Sequence, residues 1–157
     1  GHSNPRWMAV APNGDVFLAL PRLGQVLLLR DKDGDGKADL KTVFAAGFER
    51  PHGLAVQDGD LYVAGTDGLW RVKLGGDRAT GKPEMVTRPN AFGAGVHHWT
   101  RNVAFSPDGK RFFIAIGSLD NIGEDPLPHA TVQSFAADGS DQKTFAAGLR
   151  NPVGIAF

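Results

Sequence analysis

The sequence lacks cysteine entirely, with none among its 157 residues. Disulfides, cysteine-based zinc sites and thiol catalysis are therefore excluded. The formal net charge is zero, because 17 Lys and Arg residues balance 17 Asp and Glu residues. Without a broad cationic field, we expect no nucleic acid partner and no binding to an anionic membrane surface.

Long apolar runs are also missing. No stretch approaches the ~20 apolar residues of a membrane span, and residues 1–10 lack the basic and then apolar layout of a signal peptide. We therefore expect no membrane-embedded segment in this chain. The apolar share of 41% and the charged share of 22% are ordinary for one domain with a buried core.

What the sequence does contain is an internal repeat. Residues 44–56 align without gaps with residues 145–157, and residues 4–10 and 101–105 are further copies. One alanine marks the same position in all four copies: Ala9, Ala55, Ala104 and Ala156. The copies lie about 50 residues apart, which is the period of a β-propeller blade. Within a single domain, 1–157, we place repeats at about 4–50, 51–98 and 99–151, with 152–157 starting the next.

Each repeat is predicted to contain four strands. The dipeptides Asn13-Gly14, Asp58-Gly59 and Asp108-Gly109 supply the positive φ angles that tight hairpins need, and no stretch shows a sustained helical period. We predict an all-β fold of three four-stranded propeller blades plus the first strand of a fourth. A closed propeller needs ~4–8 blades, so we expect half of a six-bladed propeller or a homodimer or other homo-oligomer that completes one.

Propeller topology predicts where a site would lie. The first strand of each blade lines the central channel, so the loop before it and the loop between the second and third strands open on the same face. The loops before first strands hold Arg6, His52, His97, His98, Arg150 and Asn151. The loops between second and third strands hold Arg22, Asp67 and residues 117–125. Such a rim suits a polar, anionic ligand, although these could also be ordinary loop residues of a Gly-rich protein.

Residues at this rim resemble those of the glucose/sorbosone dehydrogenase family, and of its L-sorbosone dehydrogenase-like branch in particular. The resemblance covers essentially the whole chain and is carried by residues 98–110, 116–118 and 148–157. Members of this family are six-bladed propellers, usually periplasmic, that oxidise sugars with pyrroloquinoline quinone (PQQ) and calcium. The resemblance implies about half of such a protein, a periplasmic or secreted location, and a small-molecule sugar or aldehyde substrate.

The resemblance also assigns roles to single residues. His98 matches the general base that takes the proton of a substrate hydroxyl while hydride moves to the quinone. Arg150 and Asn151 match the pair that contacts the cofactor. His52 and Arg101 are further candidates for cofactor binding.

Two departures from the family pattern are visible. Soluble glucose dehydrogenases carry an acidic residue directly after the glycine that matches Gly117, where it can orient the catalytic histidine. Ser118 stands at that place here, with Asp120 or Asn121 as alternatives. The calcium ligands of the family and its further cationic cofactor contacts lie in later blades. A monomer of this chain is therefore expected to bind PQQ weakly and to turn over little.

A separate motif concerns metal. Residues 31–39 place carboxylates at positions 1, 3, 5 and 9 of an EF-hand-like loop, with Gly36 at the turn, and such oxygen ligands suit calcium. Position 12 is Thr42 instead of glutamate, and no helices flank the loop. The candidate metal residues are Asp31, Asp33, Asp35, Lys37 and Asp39. A structural calcium site and a polar hairpin turn both remain open.

Three classes of function are therefore considered. The first is a PQQ-dependent sugar or aldehyde dehydrogenase, the second a noncatalytic propeller module that binds a partner on its rim, and the third a metal-dependent sugar lactonase-like propeller. Lactonase-like sites need converging Glu, Asn and Asp ligands, whereas this rim is richer in His and Arg. The rim composition favours the dehydrogenase.

Overall fold

The computed structural model describes residues 4–93, 95 and 97–157. Within these residues, twelve strands form three separate four-stranded antiparallel sheets, so the prediction of an all-β partial propeller is confirmed. The first blade contains β1 (Met8–Val10), β2 (Val16–Leu20), β3 (Gln25–Arg30) and β4 (Leu40–Ala46). The second contains β5 (Gly53–Gln57), β6 (Asp60–Ala64), β7 (Leu69–Lys73) and β8 (Glu84–Met85). The third contains β9 (Arg101–Phe105), β10 (Arg111–Ile116), β11 (Thr131–Ala136) and β12 (Lys143–Ala147).

Each sheet is a meander in which consecutive strands are neighbours, and some of its connections are tight turns. Asp58 and Gly59 both have positive φ angles, of 51° and 80°, and form the two-residue loop between β5 and β6. Two positive φ angles match the twist of a hairpin, and glycine accepts the second without steric cost. A short 3-10 turn, Pro21–Leu23, connects β2 and β3. In the described part of the chain, no helix has the length and apolar character needed to cross a membrane.

The core lies between the blades rather than within them. Alternate residues of β2 and β3 pack on β5 and β6, and those of β6 and β7 pack on β9 and β10. The first interface is centred on Phe17, Leu28 and Leu61, and the second on Phe112 and Phe135. Stacking therefore buries one face of each outer blade and both faces of the middle blade, as repeat architectures require.

The outer faces of the end blades stay open. In the first blade Met8 and Val10 are each 61% exposed, and in the third blade Phe145 is 68% exposed. Phe157 is 70% exposed and its ring lies 5.1 Å from that of Phe113. These apolar faces are the surfaces on which further blades would pack.

The predicted first strand of a fourth blade is in place but is not a strand. Residues 151–157, all of which the structure describes, have no ladder pairing. They nevertheless run beside β9, because the Asn102 amide donates to the Val153 carbonyl at 2.7 Å. A first strand is stabilised by pairing with the second strand of its own blade, and none of the described strands pairs with residues 151–157. The strand prediction for 152–157 is therefore corrected to an extended segment.

Candidate functional site

One repeat position contributes four residues to the channel mouth. Five residues before each marker alanine stand Asn4, Arg50, Trp99 and Asn151, and all four line clefts at the same end of the blades. An arginine cleft of about 620 Å³ is lined by Asn4, Arg6, Pro21, Arg22, Arg50 and Trp99. An adjoining histidine cleft of about 290 Å³ is lined by Arg6, His97, His98, Trp99, Thr100, Asn121 and Asn151. The two clefts share Arg6 and Trp99 and are therefore continuous.

His98 is oriented by Ser118. The Nδ1 atom of His98 lies 2.8 Å from Ser118 Oγ and 3.1 Å from the Ser118 carbonyl oxygen. Ser118 Oγ donates its single proton to the Asp120 carbonyl at 2.7 Å, so it can only accept from the imidazole. Both contacts to Nδ1 are then with acceptors, which places the proton of the neutral ring on Nδ1. Nε2 keeps its lone pair and is the nitrogen that can accept a proton.

The alternatives to Ser118 are occupied elsewhere. The Asp120 carboxylate lies 3.9 Å from Nε2 of His97, not beside His98. The Asn121 side-chain oxygen accepts from Arg150. Ser118 is therefore the group that contacts the His98 ring in this structure.

Arg101 lies beneath the site and not at its surface. Arg101 is 1% exposed, and its Nη1 atom donates to the carbonyls of His98 at 2.8 Å and Thr100 at 3.1 Å. Burial lowers the pKa of its guanidinium to about 10. Among the described residues its Nε atom has no hydrogen-bond partner. The side chain therefore points inward and supports the loop that carries His98, and a cofactor contact of Arg101 stays a prediction.

Arg150 and Asn151 line two different clefts. Asn151 lines the histidine cleft and its side-chain oxygen accepts from Thr100 Oγ1 at 3.4 Å. Arg150 lines a neighbouring cleft of about 430 Å³ with several acidic residues, while its carbonyl accepts from the Ser118 amide at 2.7 Å. The backbone of this pair therefore helps to fix the residue that orients His98.

His52 is buried below the mouth. It is 2% exposed, and its ring lies 5.6 Å from that of Trp7 and 5.9 Å from that of Trp99. Burial lowers the pKa of His52, and the positive charge of Arg6 lowers it further, although a contact with the Arg101 carbonyl acts in the opposite direction. The structure packs the His52 ring under Trp99, and a cofactor contact of His52 stays a prediction.

The candidate metal loop is only partly assembled. Carboxylate oxygens of Asp31, Asp33 and Asp39 lie within 4.8 Å of one another, and the pKa of Asp31 is lowered because its carboxylate accepts from the amides of Gly36 and Gly34. Asp35 lies outside this group and pairs with Lys37 at 3.1 Å. The loop joins β3 to β4 at the end of the blade opposite the mouth, one strand length or roughly 20 Å away.

Sequence reasoning missed three mouth residues, Asn4, Arg50 and Trp99. A signal for them was available, because they occupy the same repeat position as Asn151. Following that position through all four copies would have predicted that their side chains converge.

A comparison with known protein families identifies one family that includes this chain. The family described as "Domain of unknown function (DUF7133)" matches residues 8–129, which is most of the chain. The chain belongs to this family. Its description assigns no activity, and no curated protein sequence matches the chain.

Solved structures share the fold at low identity. The PQQ domain of pyranose dehydrogenase from Coprinopsis cinerea, in its holo form, superposes with a TM-score of 0.82 at 20% identity over 99% of this chain. A calcium structure of a Trichoderma reesei enzyme of carbohydrate-active family AA12 gives 0.78 at 18% over 98%. The PQQ-bound aldose sugar dehydrogenase of Streptomyces coelicolor gives 0.53 at 20% over 81%. The chain spans only 41%, 43% and 41% of these three proteins, respectively.

Proposed function

We propose that this chain is about half of a PQQ-dependent sugar or aldehyde dehydrogenase of the L-sorbosone dehydrogenase-like type. The observation that carries the proposal is the orientation of the His98 ring at a channel mouth, where its Nδ1 atom contacts Ser118 and its Nε2 atom is the nitrogen left to accept a proton. The proposal is also supported by the fold, which the chain shares with proteins described as PQQ-bound sugar dehydrogenases.

The residues at the mouth fit such a cofactor. PQQ is a planar quinone with three carboxylates, and the mouth offers an exposed arginine, a flat indole and a side-chain amide. Arg150 uses one nitrogen to donate to Asn121, which leaves further donors for a carboxylate. Arg150 and Asn151 would hold the group beside Trp99. When bound, PQQ supplies the acceptor for the hydride of the substrate.

The chain's own part in the reaction is proton transfer. Nε2 of His98 accepts the proton of the substrate hydroxyl, while Ser118 keeps Nδ1 protonated and the ring in place. Arg101 holds the loop through the His98 carbonyl. Because Ser118 is neutral, the imidazolium gains less stabilisation than a carboxylate would give it. We therefore expect a slower proton-transfer step than in a site with an acidic partner.

A binding titration tests this proposal. Purified chain is titrated with PQQ and calcium, and the quinone absorption is followed at the concentration where the chain is assembled. We expect saturable binding that Arg150→Gln weakens about tenfold, as expected for loss of a charge-assisted contact. The matched control is Arg78→Gln, an exposed arginine in the loop between β7 and β8. Absence of saturable binding in an assembled sample contradicts the proposal.

Assembly is part of the same proposal. Open apolar faces on both end blades support completion of the propeller by a homodimer or larger homo-oligomer, or by further blades. A periplasmic or secreted location accompanies the proposed cofactor.

Calcium is proposed at the far loop in a structural role. Three carboxylates that face one another gain from a divalent cation, and their distance from the mouth separates them from the chemistry. We expect calcium to raise the melting temperature, and Asp33→Asn to remove that increase. An equal increase in the variant would contradict a site at this loop.

A further inference from the structure

The arginine cleft gathers positive charge without a matching carboxylate. Arg6, Arg22 and Arg50 line it, and across residues 4–93, 95 and 97–157 none of the three is in a salt bridge. No Asp or Glu is among the described residues that line it. Six of the other Lys and Arg residues are in salt bridges, among them Arg30, which pairs with Asp15 at 2.6 Å. A balanced chain that leaves three arginines together has a surplus of donors for an anion.

The fold holds Arg50 at this cleft. Its backbone is left-handed, with a φ of 45°, a conformation that is unfavourable for a bulky residue. The preceding carbonyl, of Glu49, accepts from the Thr66 amide at 2.9 Å, which fixes the approach of the chain. Asn4, at the same repeat position, has a φ of 55°. Such conformations persist where surrounding structure imposes them, and they cluster at binding sites.

Trp99 provides a flat apolar surface between the two clefts. The Arg6 guanidinium lies 6.0 Å from the centre of its ring, and His52 supports the ring from beneath at 5.9 Å. The apolar face of a pyranose can stack on an indole while its charged substituent reaches guanidinium groups. A sugar that is neutral over most of its ring and anionic at one end matches both features.

We propose that the arginine cleft binds the carboxylate or sulfate group of an acidic sugar. A ring that spans Trp99 from this cleft extends into the histidine cleft, where His98 lies. The substrate class is then uronate-like or sulfated sugars, in preference to neutral aldoses. The role of this sugar as a substrate rests on the proposed dehydrogenase function. The binding of the sugar to the cleft does not depend on that function.

The test uses PQQ-free protein and a matched pair of ligands. D-glucuronate and D-glucose differ in the group at C6, and binding of each is followed by the indole N–H signal of Trp99 in NMR spectra, assigned with Trp99→Phe. We expect glucuronate to bind at least ~10-fold more tightly than glucose, from the added charge-assisted contacts. Glucose 6-sulfate is expected to bind like glucuronate.

Matched variants locate the contact. Arg50→Gln and Arg22→Gln are each expected to weaken glucuronate binding by ~5–10-fold and to leave glucose binding unchanged. Arg78→Gln removes the same charge outside the cleft and is expected to change neither. The melting temperature and the NMR spectrum of each free variant establish that it is folded.

Three results would overturn the proposal. One is equal affinity for glucuronate and glucose, and another is equal weakening by Arg50→Gln and Arg78→Gln. The third is that Arg50→Gln weakens PQQ binding as much as it weakens glucuronate binding, which would make the arginine cleft a site for the cofactor's own carboxylates. Failure of PQQ to bind while glucuronate binding persists would count against the proposed function alone.

Discussion

At the scale of single residues, a serine hydroxyl orients the His98 ring. The hydroxyl of Ser118 has one proton and gives it to the Asp120 carbonyl, so its contact with Nδ1 has a defined direction. Because the serine oxygen can only accept from the ring, these hydrogen bonds place the ring proton on Nδ1. The orientation of the ring depends on the serine and not on a charge.

Replacing this serine tests that reasoning. In Ser118→Ala the Nδ1 atom keeps only the carbonyl contact at 3.1 Å, so the ring tautomer protonated at Nε2 becomes populated. Nitrogen-15 chemical shifts of the His98 ring measure the two forms directly. Ser140→Ala, in an exposed turn of the third blade, is the control and should leave the ring unchanged. A ring that stays protonated on Nδ1 alone in Ser118→Ala would show that the hydroxyl does not set the tautomer.

The buried His52 gives a pH dependence. Its pKa in the folded chain is lowered, mainly by burial, below the value of about 6.5 that applies in the unfolded chain. As the pH falls below about 6.5, the unfolded chain takes up the proton first, so the free energy of unfolding decreases; above that pH the contribution is fully present. An NMR titration of the His52 ring is expected to show a midpoint below 6.5. A midpoint at or above 6.5 would contradict the packing described for it.

At the scale of elements, the approach of neighbouring first strands depends on one glycine. A Cβ atom on Gly53 would lie 2.6 Å from the Arg101 carbonyl oxygen and 2.7 Å from Asn102 Cα. Gly154 occupies the same repeat position, and no described heavy atom lies within 4 Å of its Cβ position. The two glycines occupy the same position in similar repeats. They differ because β9 of the following blade packs against Gly53, whereas no described residue packs against Gly154.

This pair provides an internal control. Gly53→Ala forces β5 away from β9 and is expected to lower the free energy of unfolding by ~1–3 kcal/mol, the usual cost of overpacking. Gly154→Ala is expected to change it by less than ~0.5 kcal/mol in the monomer. Urea denaturation measures both. Equal effects would mean that the blades do not stack as described.

Repeat logic predicted the strands well, because turns and apolar strands are local patterns. It could not predict that the side chains of His52 and Arg101, which share one repeat position, point inward; His52 was placed at the rim, and both were candidates for cofactor binding. Their burial depends on the neighbouring blade, which no local pattern encodes. The extended form of residues 152–157 was missed for the same reason, since strand pairing depends on a partner that the repeat alone does not supply.

At the scale of the whole molecule, the open end faces determine what the chain can do alone. Val10 and Phe145 lie on opposite outer faces and are both largely exposed. If these faces associate, the chain is larger than a monomer in solution, and a charge on either face opposes association. Light scattering should therefore show a homodimer or larger assembly for the parent chain and a monomer for Val10→Lys. A well-folded monomeric parent would contradict self-assembly.

The central claim is that His98 is the base of a sugar dehydrogenase. The most direct measurement is dye reduction by the PQQ- and calcium-loaded assembly, compared among the parent chain, His98→Ala and His97→Ala. The adjacent His97 is exposed and contacts neither Ser118 nor Arg101 in the described structure, so it controls for loss of an imidazole at the same mouth. We expect His98→Ala to lower the rate by ~10²–10⁴-fold, the usual contribution of a general base, and His97→Ala to lower it by less than about threefold. Equal rates for the parent chain and His98→Ala would contradict the account.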